Sequence, residues 1–173
     1  MAEGAELHID ENDSLGKKIG VLAAILAVLL SLFTISAHRA HTETIELQNE
    51  TNDLWSYYQA KRIRSYQLEM NSDLLEVISS ANPEKTKLIK NYADKQTQYK
   101  KDLEELKKEA EISTQKDLII QKKALYFDFA EGILEISLIL SSLYFISHKK
   151  LFPNLGFIFG CIGTVVGVIG FML

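Results

Sequence analysis

Glycine is missing from residues 21–131, and only two prolines, Pro83 and Pro153, occur in the 173-residue chain. Sheets and loop-rich domains turn on residues that tolerate φ > 0, a role glycine fills most readily. A glycine-free stretch of that length therefore excludes them and predicts long helices, so the expected fold class is all-α. One cysteine, Cys161, excludes a disulfide scaffold. Neither sign of charge dominates: 19 basic residues face 23 acidic ones, for a net charge of −4. That balance argues against nucleic acid as a partner through bulk positive charge.

Reactive motifs are missing too. The chain has no G-x-S-x-G, phosphate loop, H-E-x-x-H or dinucleotide fingerprint. Without glycine in its middle it can build no phosphate-cradling loop there. No catalytic residue, cofactor or metal is expected, and the chain does not read as an enzyme. Cys161 lies within an apolar run, where a thiol is inert.

What is present is two unlike materials whose average is a mean hydropathy of zero. Residues 19–37 form an uncharged run of 19, and residues 151–173 another of 23. Nineteen helical residues extend about 28 Å, close to the thickness of bilayer hydrocarbon. The first run is longer than a usual signal-peptide core and follows an acidic leader, so a retained anchor is expected. A second apolar segment, 129–147, is interrupted by Glu131 and Glu135. It is joined to the third by only His148, Lys149 and Lys150. The expected plan is a flexible leader (1–18), spans at 19–37, 129–147 and 151–173, a basic loop at 148–150, and an extramembrane region at 38–128. With three spans, Lys17-Lys18 and Lys149-Lys150 fall on one side. The region 38–128 is long enough to translocate whatever its charge. The N-terminus and the Lys149-Lys150 loop are therefore expected in the cytoplasm, with the long region outside.

That region carries 15 Lys/Arg and 16 Asp/Glu in 91 residues. Its one breaker, Asn82-Pro83, divides it into arms of 45 and 46 residues. Equal arms returning to one membrane face predict an antiparallel helical hairpin in which residue i meets about residue 165−i. The second arm carries a coiled-coil heptad. One column is Tyr92, Tyr99, Leu106, Ser113, Ile120 and Phe127; the other is Ile89, Gln96, Leu103, Ala110, Asp117 and Ala124. The first arm is looser. Leu47, Leu54, Leu68 and Leu75 keep a seven-residue spacing. A second face holds Trp55, Ile63, Tyr66, Met70, Leu74 and Val77. Two apolar faces on one helix predict contacts beyond the partner arm, and hence a homo-oligomer.

The run from Asn52 to Lys61, NDLWSYYQAK, resembles the signature of a bacterial membrane family known as domain-of-unknown-function family 4337. The stretch Tyr126-Phe127-Asp128-Phe129-Ala130-Glu131, the Lys149-Lys150 loop and the glycine-rich tail resemble it as well. The resemblance implies a bacterial inner-membrane protein with this three-span plan. It implies no activity.

Four groups of residues stand out as candidate sites. Trp55, Tyr58, Gln59 and Arg62 share a helix face, with Lys61 beside them, and are expected to form a packing node rather than a ligand platform. Gly156, Gly160, Gly163, Gly167 and Gly170 are spaced 4, 3, 4, 3 and form one stripe suited to close helix packing. Asp128, Glu131 and Glu135 form an acidic stripe entering span two, expected to face protein, water or headgroups and suited to a cation or proton. His38 and His41 lie at the membrane exit and are expected to be solvated. The functional expectation is a bilayer-anchored scaffold that oligomerises and engages envelope or membrane proteins. The alternative is an ion-conducting or transport subunit that uses the acidic stripe.

Overall fold

The computed structural model describes residues 14–78 and 83–173. Most of the acidic leader, and Asn82 of the expected turn, lie outside the described residues. Three α-helices make up the described fold: α1 (Ser14–Ile78), α2 (Pro83–Ser147) and α3 (Leu151–Met172). All three contain segments long and apolar enough to cross a membrane. The first two are single helices of 65 residues each, continuous through the points where apolar sequence gives way to charged. Helix α1 also takes in residues 14–18, which the sequence reading assigned to a flexible leader. Gly16 is buried there, so helix packing begins before the apolar run does.

The chain divides into two compact units, residues 14–41 with Gln121–Leu173, and Thr42–Ile120. In the first, α3 lies against both other helices through its glycines, all five of which are buried. A Cβ on Gly156 would meet the Ser137 carbonyl oxygen at 2.9 Å, and one on Gly163 would meet Leu134 at 3.0 Å. On the α1 side, a Cβ on Gly160 would meet Leu26, and one on Gly167 would fall on the Phe33 ring. The stripe therefore packs within the chain, against α1 and α2 at once. Ser137 completes the contact by donating its hydroxyl to the Gly156 carbonyl oxygen at 2.6 Å. Beyond the glycines, Phe33, Phe127 and Phe171 form a cluster with ring centroids 4.8–6.4 Å apart. The α2–α3 link is tight. His148 adopts a left-handed φ of 52°, and its N–H donates to the Tyr144 carbonyl at 2.8 Å.

In the second unit the helices run antiparallel. The hydroxyls of Thr51 and Ser113 bond at 2.7 Å, and Lys61 donates to Asp102. The residue numbers of these pairs total 164 and 163, close to the 165 that the arm lengths predict. Every position of the two heptad columns on the second arm is buried or half-buried. The first arm answers with two columns of its own. Leu47, Leu54, Lys61, Leu68 and Leu75 form one; Thr44, Thr51, Tyr58, Ser65 and Ser72 form the other, all at least half-buried. The arm looks loose in sequence because one of its inward columns is mostly threonine and serine.

The glycine contacts separate two kinds of substitution. Gly156→Ala and Gly167→Ala force backbone or a packed ring to move, a strain of about 1–3 kcal/mol. Gly132→Ala enters open space and gains helix propensity, about 1 kcal/mol at most. Thermal unfolding in detergent followed by circular dichroism is expected to show the first two destabilised and the third unchanged or raised. Equal behaviour of all three would mean the stripe is not a tight contact.

Candidate functional site

The acidic stripe is split by its partners. Asp128 accepts from His41 Nε2 at 3.0 and 3.1 Å, an exposed pair at the end of the first unit. Glu131, one turn along, accepts from the Thr34 hydroxyl at 2.9 Å. Glu135, a further turn along, is exposed and takes part in none of the hydrogen bonds or ion pairs among the described residues. Two of the three carboxylates are thus held by α1, and the third faces outward.

Helix α3 measures the depth of that third group. Gly163 lies against Leu134 and Gly160 against Ser137, so Glu135 is level with the neighbourhood of Ile162. Ile162 is the midpoint of α3, about 16 Å from its start. The α1 contacts agree: Leu26 lies against Gly160 and Phe33 against Gly167, so the same level falls near Val28, the midpoint of the 19–37 run. Counting from Asp128 alone places Glu135 about 10 Å along the axis. The packing puts it at the middle of the apolar thickness. A charged group at the centre of a membrane helix costs about 3 kcal/mol on insertion scales. Among the described residues, no three His, Cys, Asp or Glu side chains are grouped so as to hold a metal ion. His38 is exposed.

In the second unit the aromatic element separates into distinct contacts. Trp55 and Tyr58 meet edge to face at 5.6 Å, both half-buried. Gln59 is exposed. Lys61 turns into the seam, where its ammonium donates to Asp102 and lies 5.1 Å from the centre of the Tyr57 ring. Arg62 points outward and donates to the Tyr66 hydroxyl at 3.1 and 3.2 Å. Trp55 and Tyr58 are therefore a packing pair, and Lys61 is a seam residue. The threonine and serine column is what sequence reasoning missed. Its signal was present, because Thr44, Thr51, Tyr58, Ser65 and Ser72 repeat every seven residues.

The bond to Asp102 raises the Lys61 pKa above the ordinary lysine value of 10.5, against a smaller opposing effect of burial. A raised pKa stabilises the fold fully below the unfolded-state value and loses that contribution as pH climbs through the folded-state value. Lys61→Gln is expected to cost about 1 kcal/mol at neutral pH, the upper end for a partly exposed pair. The gap in melting temperature between native chain and variant should stay constant up to about pH 10 and narrow above it. A gap that persists at higher pH would show that Lys61 contributes through packing of its stem and not through its charge.

No curated protein and no solved structure matches the chain. The model of one family matches residues 15–173, taking in both units and all three helices. The chain therefore belongs to the family described as domain of unknown function DUF4337.

Proposed function

We propose that this protein is a non-catalytic, membrane-anchored scaffold of the bacterial inner membrane that self-associates through its helical hairpin. In this reading the three apolar helix segments cross the bilayer. The N-terminus and the Lys149-Lys150 loop lie in the cytoplasm, and the paired arms project outside as an antiparallel coiled coil. The hairpin offers its outer surface to further copies and to envelope or membrane proteins, not to nucleic acid.

One observation carries the reading. Ile63, Tyr66, Met70, Leu74 and Val77 are all exposed, Val77 at 85%. At 100° per residue they fall within a sector of about 80°, on the side of α1 roughly opposite the Thr/Ser and Leu seam columns. Isolated exposed apolar residues are ordinary, but a continuous apolar stripe on a charged helix marks a contact surface. On the second arm Ile112 and Ile119, one heptad apart, are exposed as well.

Site-directed cross-linking tests this. With Cys161 replaced by Ser, Met70→Cys is expected to form a disulfide-linked dimer under mild oxidation in detergent. Adding Ile63→Glu should abolish the product while helicity is unchanged, since position 63 is exposed in the single chain. A monomer by light scattering, or cross-linking indifferent to Ile63→Glu, would overturn the proposal.

A further inference from the structure

The two flanks of α1 in the first unit differ in chemistry. Toward α3, the groove is lined by Leu22, Ile25, Leu29, Phe157 and Val165 and encloses about 340 Å³. Large apolar side chains such as these suit acyl chains. The other flank carries Gly20, Ala24, Ala27, Ser31 and Thr34, spaced 4, 3, 4, 3 and all exposed. Thr34 bonds Glu131 of α2, so this flank adjoins the α2 face that holds Glu135, one turn from Glu131. A Cβ on Gly20 would meet nothing within 4 Å. Small residues thus line α1 here as they do α3, but among the described residues Gly20, Ala24, Ala27 and Ser31 stay exposed, with no helix over them.

Two polar groups on the flank are without partners. Glu135 sits at the level of Val28, and Ser31 is only three residues from that level, about 4.5 Å along the axis. Neither takes part in a hydrogen bond among the described residues, either with the other or with anything else. An acceptor and a donor at nearly one depth, on two helices of one flank, are left open where hydrocarbon would offer neither a partner.

We propose that a second copy of this chain covers this flank, seating the small residues of its own α1 against Ala24 and Ala27 and meeting Glu135 with its Ser31 hydroxyl. The proposal rests on the self-association put forward above and assigns it a second interface, within the membrane. The occupant follows from symmetry. A two-fold interface requires donor and acceptor on the same patch, so that each copy supplies what the other lacks. Copies inserted in one orientation are related by an axis along the membrane normal, so groups at equal depth meet. Ser31 and Glu135 meet the first condition, and a glutamate side chain can span the gap of about 4.5 Å between their levels. The small residues of α1 let the backbones approach, as membrane helices require when lipid gives them no hydrophobic drive. An interhelical hydrogen bond then removes the exposed carboxylate from lipid.

The test uses the full chain in membranes with Cys161→Ser as background. Ala27→Cys is expected to cross-link under oxidation to a product of twice the chain mass, while Ile25→Cys, on the α3 flank, is not. Adding Ala24→Leu should reduce the Ala27→Cys product at least several-fold, and Glu135→Gln, which keeps hydrogen-bonding capacity, should leave it intact. A chain that dimerises through Met70→Cys yet links at Ile25→Cys and not at Ala27→Cys overturns this interface and leaves the hairpin reading standing. Loss of the Met70→Cys product with the Ala27→Cys product retained does the reverse. Rapid labelling of Ala27→Cys by a charged, membrane-impermeant thiol reagent, without cross-linking, also overturns the proposal and places water on the flank. Neither labelling nor cross-linking overturns it in favour of lipid.

Discussion

Close approach of α3 to α2, which is open only to side chains that are almost absent, is the contact on which the first unit depends. In a bilayer, hydrocarbon would supply no hydrophobic drive for helix association, so van der Waals contact and hydrogen bonds would have to serve. Glycine at 156, 160 and 163 lets the backbones meet, and Ser137 then reaches the Gly156 carbonyl. The same stripe receives Leu26 and Phe33 of α1, so one helix aligns the other two. Depth follows from that alignment. Because α3 is uncharged and 22 residues long, it acts as a ruler, and it places Glu135 level with its own midpoint.

The second unit is built on the opposite balance. Its large apolar groups are mostly half-buried: Leu106 and Ala110 are the buried hydrophobic residues among those described there, beside buried Thr44, Thr51, Ser65, Ser113 and Asp117. Polar residues in a seam weaken it but discriminate between registers, because a slip leaves each one buried without its partner, at about 1–3 kcal/mol apiece. Thr51 with Ser113 and Lys61 with Asp102 are two such pairs. A hairpin with so thin a seam gains from apolar contact elsewhere, and the first arm carries that surface on its outer side.

The proposed role draws these features together. The described residues bury the glycine stripe and the seam, and among them two surfaces stay uncovered: an apolar stripe on the charged arm, and a small-residue flank with a carboxylate in the apolar region. Each surface is unfavourable in its own surroundings, the first in water and the second in lipid. Self-association would remove both costs at once, without any catalytic group or cofactor. Membership of DUF4337 spans the helices that carry both surfaces and assigns no activity to them.

By itself the sequence determined the all-α class, the three apolar segments, the antiparallel register and the face of α3 that packs. These follow from local quantities: glycine and proline placement, run length, arm length and a heptad are all fixed along one chain. It also marked Asp128, Glu131 and Glu135 as one stripe. Tertiary structure alone decided which neighbours those residues have. Thr34 and His41 take up two of the carboxylates because α1 lies beside α2, and the outward side of that contact leaves Glu135 open. The serine and threonine column of the first arm was hidden for the same reason. A hydroxyl reads as surface until its partner, 62 residues away in the case of Thr51 and Ser113, is brought against it. Periodicity shows which side of a helix is turned inward, but only the packed partner shows what that side meets.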